Sequence, residues 1–274
     1  MIYWHAILLG LIQGLTEFLP VSSSGHLVLA QAVLGIHNSN IVFEVFAHFG
    51  TLLAVLTIFK QEIRLLFKGL KAIVSFRFHR PRPEPEDDEG RGLQLLGLLV
   101  VGTVPAAVVG YLFESSFEEA FSHPQFVCWS LLVTGAILLL SRLARERVSV
   151  FSPLRALGVG VAQIFAILPG ISRSGTTISA AMLLGVERVE AARFSFLLAV
   201  PLIFGATLLK SLELFRDPPG AGQLLVILLG MVTAYLSGLF AIKWLLAVIR
   251  RDRFDRFAYY CFALGLAGLL IIHF

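Results

Sequence analysis

The chain has 274 residues, 57% of them hydrophobic and 15% charged, which is too apolar for an ordinary soluble domain. Its formal charge of +4 does not point to nucleic acid, because basic residues in a membrane protein mark the cytoplasmic loops. Two cysteines, Cys128 and Cys261, each lie inside an apolar run. They offer no disulfide framework and no metal spacing, and read as small core residues.

In chain order, the first element is the apolar region 2–36. Its start, MIYWHAILLG, carries no positive charge, so a cleaved signal peptide is not expected. It contains GLTEFLPVSSSGH, Gly14 to His26, where Leu-Pro followed by serines and a glycine breaks a helix. Gly10 and Gly14 form a GxxxG pair suited to close helix packing. Next comes a span over about 41–59, long enough to cross a bilayer. The segment 60–92 reads as a cytoplasmic loop; its end, His79 to Gly92, is polar, Pro-rich and charged. Further spans follow at about 93–112 and 125–141, separated by ESSFEEAFSH, which holds three glutamates and no Lys or Arg. Then comes a second broken apolar region, 156–186, with PGISRSGTTIS from Pro169 to Ser179. Spans at about 195–210, 223–249 and 257–274 complete the chain.

The charges thread these elements. Lys60, Arg64, Lys68, Lys71, Arg77 and Arg80 form one basic cluster; Arg142, Arg145, Arg147 and Arg155 form a second; Arg250, Arg251, Arg253 and Arg256 form a third. All three belong to the cytoplasmic side, with the acidic segment opposite. Six spans satisfy this pattern only if regions 2–36 and 156–186 dip into the membrane and return. Irregular backbone at that depth needs protein or a wet cavity around it.

The two broken regions resemble each other. QGLTEFLPVSSSGHLVLAQAVLG and QIFAILPGISRSGTTISAAMLLG align at an offset of 150 residues, matching Gln13 to Gln163, Ser22 to Ser172, Ser24 to Ser174, Gly25 to Gly175 and Gly35 to Gly185. One starts from outside and the other from the cytoplasm. The expected fold is an all-α polytopic membrane protein with an inverted-topology repeat: six transmembrane helices plus two re-entrant helical hairpins. Repeat one covers about 1–141 and repeat two about 156–274, within a single membrane domain. Such repeats are common in transporters.

The hairpins also hold the chemistry. Glu17 and Glu44 are the only carboxylates in residues 1–59. A charge at mid-membrane costs ~2.5–3.5 kcal/mol, so it is a functional hypothesis by default. The other reading of Glu17 is a helix-end carboxylate at the interface, ended by Pro20. Gln13 and Glu17 share a helix face, as do Glu44 and His48; His48 reads as a packed histidine. Among Ser22, Ser23 and Ser24, one caps the next helix. A serine near His26 suggests a hydroxyl nucleophile with a base, or an acid for a leaving group. Arg173, with Ser172, Ser174 and Thr177 around it, makes a phosphate cradle at a helix start.

At these residues the sequence resembles the undecaprenyl-diphosphatase family, the bacitracin-resistance integral membrane phosphatases of bacteria. The family's first signature is matched by Gln13 and Glu17 within QGLTEFLPVSSSGH, and its second, PGxSRSxxT, by Pro169 to Thr177; FEV at Phe43 and FSFLLAVP at Phe194 extend the likeness. The resemblance implies hydrolysis of undecaprenyl diphosphate to undecaprenyl phosphate and phosphate, recycling the lipid carrier for peptidoglycan. It implies a multi-pass protein of the bacterial inner membrane, with a site open to the outer face. It assigns catalysis to Glu17, Ser23, His26 and Arg173, and phosphate contacts to Ser172 and Thr177; Gln13, Ser22 and Ser174 are further expected substrate contacts, with Glu44 behind them. It implies a divalent cation, Mg or Ca, held by Glu17 and Gln13. Gln13 stands where the family often has Glu, which lowers the charge offered to a metal. Whether Ser23 or His26 attacks is open, and a monomer and a homodimer both fit. The rival reading is a lipid-phosphate transporter or flippase on the same scaffold.

Overall fold

The computed structural model describes residues 2–36, 41–76, 87–121, 123–145, 148–216 and 220–273. In lipid an apolar run has no hydrogen-bond partner but itself, and a helix satisfies every interior N–H and C=O within one segment. The described residues accordingly form α1 (Tyr3–Phe18), α2 (Ser23–Val33), α3 (Ile41–Ile58), α4 (Lys60–Phe76), α5 (Asp88–Leu112), α6 (Glu114–Phe121), α7 (Pro124–Leu140), α8 (Pro153–Phe165), α9 (Arg173–Leu183), α10 (Arg188–Arg216), α11 (Ala221–Arg250) and α12 (Phe257–His273). Extended backbone pairs among them only at one bridge, Val148 with Val186.

Helices α5, α7, α10, α11 and α12 are long and apolar enough to cross a membrane, and α3 with α4 is a sixth candidate, bent by 91°. The chain is an all-α polytopic membrane protein. The six spans expected from the sequence each fall on one of these helices. Two begin earlier than expected, α5 at Asp88 and α10 at Arg188, because their charged first turns are helical although too polar to belong to a span.

The expected loop 60–92 needs correcting. Its first part is the helix α4, set off from α3 by the bend. Basic residues and the exposed apolar side chains Phe67, Leu70, Ile73 and Val74 alternate along it, a composition suited to a bilayer interface. Its last residues open α5, where Asp87 caps the helix by accepting from the Gly90 amide at 2.6 Å. Residues 79–86 of the expected linker, and Arg77, Arg80 and Arg147, lie outside the described residues.

Close approaches at glycines fix the helix directions. Gly10 of α1 lies against Gly230 and Thr233 of α11, and Gly14 against Ala234 and Ser237. This is the packing expected of the GxxxG pair, and it sets α1 parallel to α11. Gly50 meets Met231 and Ala54 meets Gly238, so α3 is parallel to α11 too. Helices α1 and α3 can enter from one end only because α2 carries the chain back. Helix α8 runs along α5, with Gly102 near Ala156 and Gly110 near Ile167. Val148 bonds the backbone of Gly185 at 3.1 Å and of Glu187 at 2.9 Å, which brings the end of α9 back beside the start of α8. The ion pairs Arg142–Asp255, Arg188–Asp252 and Arg193–Glu62 gather the basic clusters at this end of the bundle.

Each hairpin breaks for a local reason. Leu19 precedes Pro20 and is extended, with ψ 144°, as a residue before proline must be. In the second hairpin the break uses Gly170 at φ 89°, a conformation open to glycine. The backbone groups freed at the breaks find side chains. Ser174 Oγ donates to Leu19 O at 3.0 Å, Cys261 Sγ to Pro20 O at 3.6 Å, and Thr134 Oγ1 to Gly170 O at 2.9 Å. Cys128 and Cys261 are buried free thiols, and Cys261 thus adds a hydrogen bond to its expected core role.

Candidate active site

Where the two breaks meet, a cleft of about 210 Å³ opens, lined by Glu17, Ser22, Ser23 and Ser24 of the first hairpin, Ser172 and Arg173 of the second, and His48 of α3. Glu17 and Arg173 are 156 positions apart; the fold joins them by ending α1 and starting α9 at one place.

Glu17 sits at the centre. Its Oε1 accepts from Arg173 Nη2 at 2.5 Å. Its Oε2 accepts from Gln13 Nε2 at 2.9 Å and from Ser23 Oγ at 2.7 Å, and lies 3.6 Å from His48 Nε2. Arg173 spends its other terminal nitrogen on the carbonyl of Ser195, at 3.2 Å. The Glu17 and Arg173 side chains are 6% and 17% exposed. Removing one partner of such a pair leaves the other charge buried, at a cost of about 3–5 kcal/mol. The pair therefore holds the hairpin tips together as well as facing the cleft.

Both returning helices start on a serine cap. Ser22 Oγ accepts from the Gly25 amide at 3.2 Å, and Ser172 Oγ from the Gly175 amide at 3.1 Å. Neutral donors at two helix starts, a guanidinium and hydroxyls facing one cleft suit the oxygens of a phosphate.

The other expected residues are placed less directly. Gln13 is fully buried and reaches the cleft only through Glu17, and its Oε1 has no partner. Ser174 Oγ ties the second hairpin to Leu19. Thr177 Oγ1 donates to Arg173 O at 2.7 Å and lies 2.6 Å from Ser195 Oγ, so it steadies the arginine from behind. Glu44 accepts from Gln31 Nε2 at 2.8 Å, linking α3 to α2. His26 does not line the cleft: its Nδ1 lies 2.7 Å from Ser22 O and its Nε2 2.7 Å from the Tyr260 hydroxyl.

Two residues were missed. His48 lines the cleft, although it read as a packed histidine; its Nδ1 donates to Glu44 O at 2.9 Å, which leaves Nε2 turned to Glu17. The (i, i+4) spacing with Glu44 was its signal. Ser195 holds both Arg173 and Thr177, and its signal was its place in FSFLLAVP.

No group of three or more His, Cys, Asp or Glu side chains among the described residues could hold a metal by itself. Of the cleft's carboxylate oxygens, those of Glu17 would hold a cation together with phosphate oxygens and water, the usual arrangement for magnesium at phosphates; the unpartnered Gln13 oxygen is fully buried behind Glu17.

The family model described as "Bacitracin resistance protein BacA" matches residues 6–267, both hairpins and all the cleft residues included. The chain belongs to the BacA family. It is 44% identical to the undecaprenyl-diphosphatase of Salinibacter ruber over 99% of this chain and 100% of that protein. It is 45% identical to the undecaprenyl-diphosphatase of Desulfosudis oleivorans over 95% of each chain. With that of Halothermothrix orenii it shares 44% identity over 98% of this chain and 97% of the other.

Proposed function

We propose that the protein hydrolyses undecaprenyl diphosphate to undecaprenyl phosphate and inorganic phosphate, recycling the lipid carrier for peptidoglycan synthesis and conferring bacitracin resistance. The observation that carries this is Glu17 joined to both Ser23 and Arg173 at the meeting of the hairpins. A transporter of lipid phosphate has no use for a hydroxyl held against a buried carboxylate, and the named relatives are phosphatases.

Ser23 Oγ attacks the terminal phosphorus while its proton passes to Glu17 Oε2. The new Oγ–P bond replaces the anhydride P–O bond, and undecaprenyl phosphate leaves with the electron pair. Water then cleaves the phosphoserine, giving inorganic phosphate and returning Ser23. Arg173 and the capped helix starts stabilise charge on the transferring phosphoryl group. His26 fixes the serine turn from behind through Ser22 O, and His48 lines the cleft with its Nε2 3.6 Å from Glu17 Oε2. A divalent cation held at Glu17, which Gln13 steadies from behind, would neutralise the diphosphate.

The same reading places the basic end of the bundle in the cytoplasm, by the positive-inside rule. The cleft, lined by His48 in the first half of α3, then opens toward the outer face of the plasma membrane. Hairpins entering from opposite ends support an inverted repeat over about 1–141 and 156–274.

The test is phosphate release from undecaprenyl diphosphate by purified protein in detergent, with Ser23→Ala beside it. Release by the parent and none by the variant is expected. No release by well-folded parent protein would overturn the enzyme reading in favour of transport.

A further inference from the structure

A second and larger crevice, about 620 Å³, lies on the other face of α1. Leu15, Thr16 and Leu19 point into it, while Glu17 between them points into the cleft, as helical spacing dictates. Trp244 of α11 and Phe257 of α12 form its far wall. The wall's polar atoms are already paired inside the protein. Thr16 Oγ1 donates to Ile12 O at 2.7 Å, and the Tyr260 hydroxyl lies 2.7 Å from His26 Nε2. The body of the crevice is therefore fitted to hydrocarbon.

Its mouth is charged. Arg251, Arg253 and Arg256 line it and are exposed. The turn carrying them is anchored by Phe254, which is 2% exposed, and by the Arg251 and Asp252 amides bonded to Val248 and Ile249 carbonyls. The two carboxylates of this turn are engaged elsewhere: Asp252 with Arg188 at 2.9 Å and Asp255 with Arg142 at 2.5 Å. Among the described residues, the three arginines have no carboxylate partner. A hydrocarbon slot ending in three unneutralised guanidiniums is complementary to one thing the membrane supplies, a lipid chain ending in an anionic phosphate.

We propose that this crevice binds one anionic glycerophospholipid, its acyl chain between α1 and the α11–α12 pair and its phosphate among Arg251, Arg253 and Arg256. A zwitterionic headgroup brings an ammonium to the same arginines and loses the advantage. Helix α1 stands between this phosphate position and Ser23, so the site is separate from the reaction cleft. The inference does not depend on the reaction proposed above.

Trp244 on the crevice wall gives the test. The chain has three tryptophans; Trp4→Phe with Trp129→Phe leaves Trp244 as the sole reporter. The protein is reconstituted in phosphatidylcholine vesicles containing a small share of phosphatidylglycerol with brominated acyl chains, or the same share of brominated phosphatidylcholine. Brominated phosphatidylglycerol should quench Trp244 at several-fold lower mole fraction. The triple variant Arg251→Gln, Arg253→Gln, Arg256→Gln should abolish the preference. A charge-matched control, Lys60→Gln, Arg64→Gln, Lys71→Gln, should keep it. Equal quenching by the two lipids in the parent overturns the site, and so does a preference that survives the triple arginine change. Displacement by undecaprenyl phosphate at lower mole fraction than by unbrominated phosphatidylglycerol overturns the phospholipid as occupant.

Discussion

Position by position, the two hairpins cap their returning helices alike. Ser22 and Ser172 each accept from the amide three residues on, and each lies 3.3 Å from the hydroxyl of the serine two residues on. The side chains between these shared points differ. Glu17 corresponds to Ile167, and Ser23 to Arg173. Gln13 donates to Glu17, whereas Gln163, buried at the matching place, has no partner for either amide atom. One hairpin supplies the carboxylate and the hydroxyl beside it; the other supplies the cation. The two alike capped turns border the cleft, and the side chains that differ between them set opposite charges face to face, because two like charges at the meeting point would repel instead of pairing.

The largest effect should come from breaking that division. Glu17→Gln removes the base and should lower phosphate release about a thousandfold, the upper end for loss of one charge-stabilising group. Arg173→Lys keeps the charge but cannot reach both Glu17 and Ser195 O, and should lose about a hundredfold. Arg173→Ala should also lower the melting temperature, since it strands a buried carboxylate. The decisive double variant is Glu17→Gln with Ile167→Glu, which moves the carboxylate to the second hairpin. No rescue is expected, because Gln13 and Ser23 belong to the first hairpin. Restored turnover would show that the cleft does not care which hairpin bears the charge.

A smaller effect separates the two histidines. His26→Ala removes the bond to Ser22 O and should cost about tenfold in kcat, one hydrogen bond's worth of positioning. Tyr260→Phe leaves that bond in place and should stay near the parent rate. If Tyr260→Phe instead accelerates turnover, His26 works as an acid once released from the tyrosine. His48→Gln keeps a polar side chain beside Glu17 and should be milder than His48→Ala; equal losses in the two would remove a polar role for this position.

Much of this was legible in the sequence because the lipid phase makes few demands and makes them strictly. Apolar length gave the six spans, and Leu-Pro gave the breaks. Glu17 and Arg173 stood out because charge in an apolar run needs a reason, and Ser23 because three serines follow the break where one helix cap suffices. What stayed hidden depends on facing. His26 and His48 are both histidines in apolar helices, and only packing turns one to Tyr260 and the other to the cleft. Helix α4 was hidden because its lysines and arginines read as a loop, although their spacing also fits one face of a helix.

The two breaks themselves should differ in stability. Gly170 has φ 89°, and a Cβ there would lie 2.5 Å from Val127 O and 2.6 Å from Ser130 Cβ. Gly170→Ala therefore adds backbone strain of about 1–2 kcal/mol to overpacking of about 1–3 kcal/mol. Pro20→Ala at the matching place gives up only stiffness in the unfolded chain, about 1 kcal/mol or less. Thermal unfolding in detergent should rank them in that order. Equal melting temperatures would mean that the second break relaxes freely, and that its contact with α7 is not tight.

The smallest difference concerns the caps. Ser22 has φ 69°, while Ser172 has φ −71°. The side chain at Ser22 is thus held in backbone that L residues avoid, at a cost of about 1–2 kcal/mol. Glycine at either place loses the cap bond, a matter of a few tenths of a kcal/mol against serine, and adds about 0.5–1 kcal/mol of unfolded-state entropy. At Ser172 nothing offsets these, so Ser172→Gly should destabilise by about 1 kcal/mol. At Ser22 relief of the strain offsets them, so Ser22→Gly should leave the melting temperature within about a degree of the parent. Both serines face the cleft, which makes unfolding rather than turnover the proper readout. A drop at Ser22→Gly as large as at Ser172→Gly would mean that the bend at Ser22 stores no strain, and that the two hairpins are alike in their backbone energetics as well as in their caps.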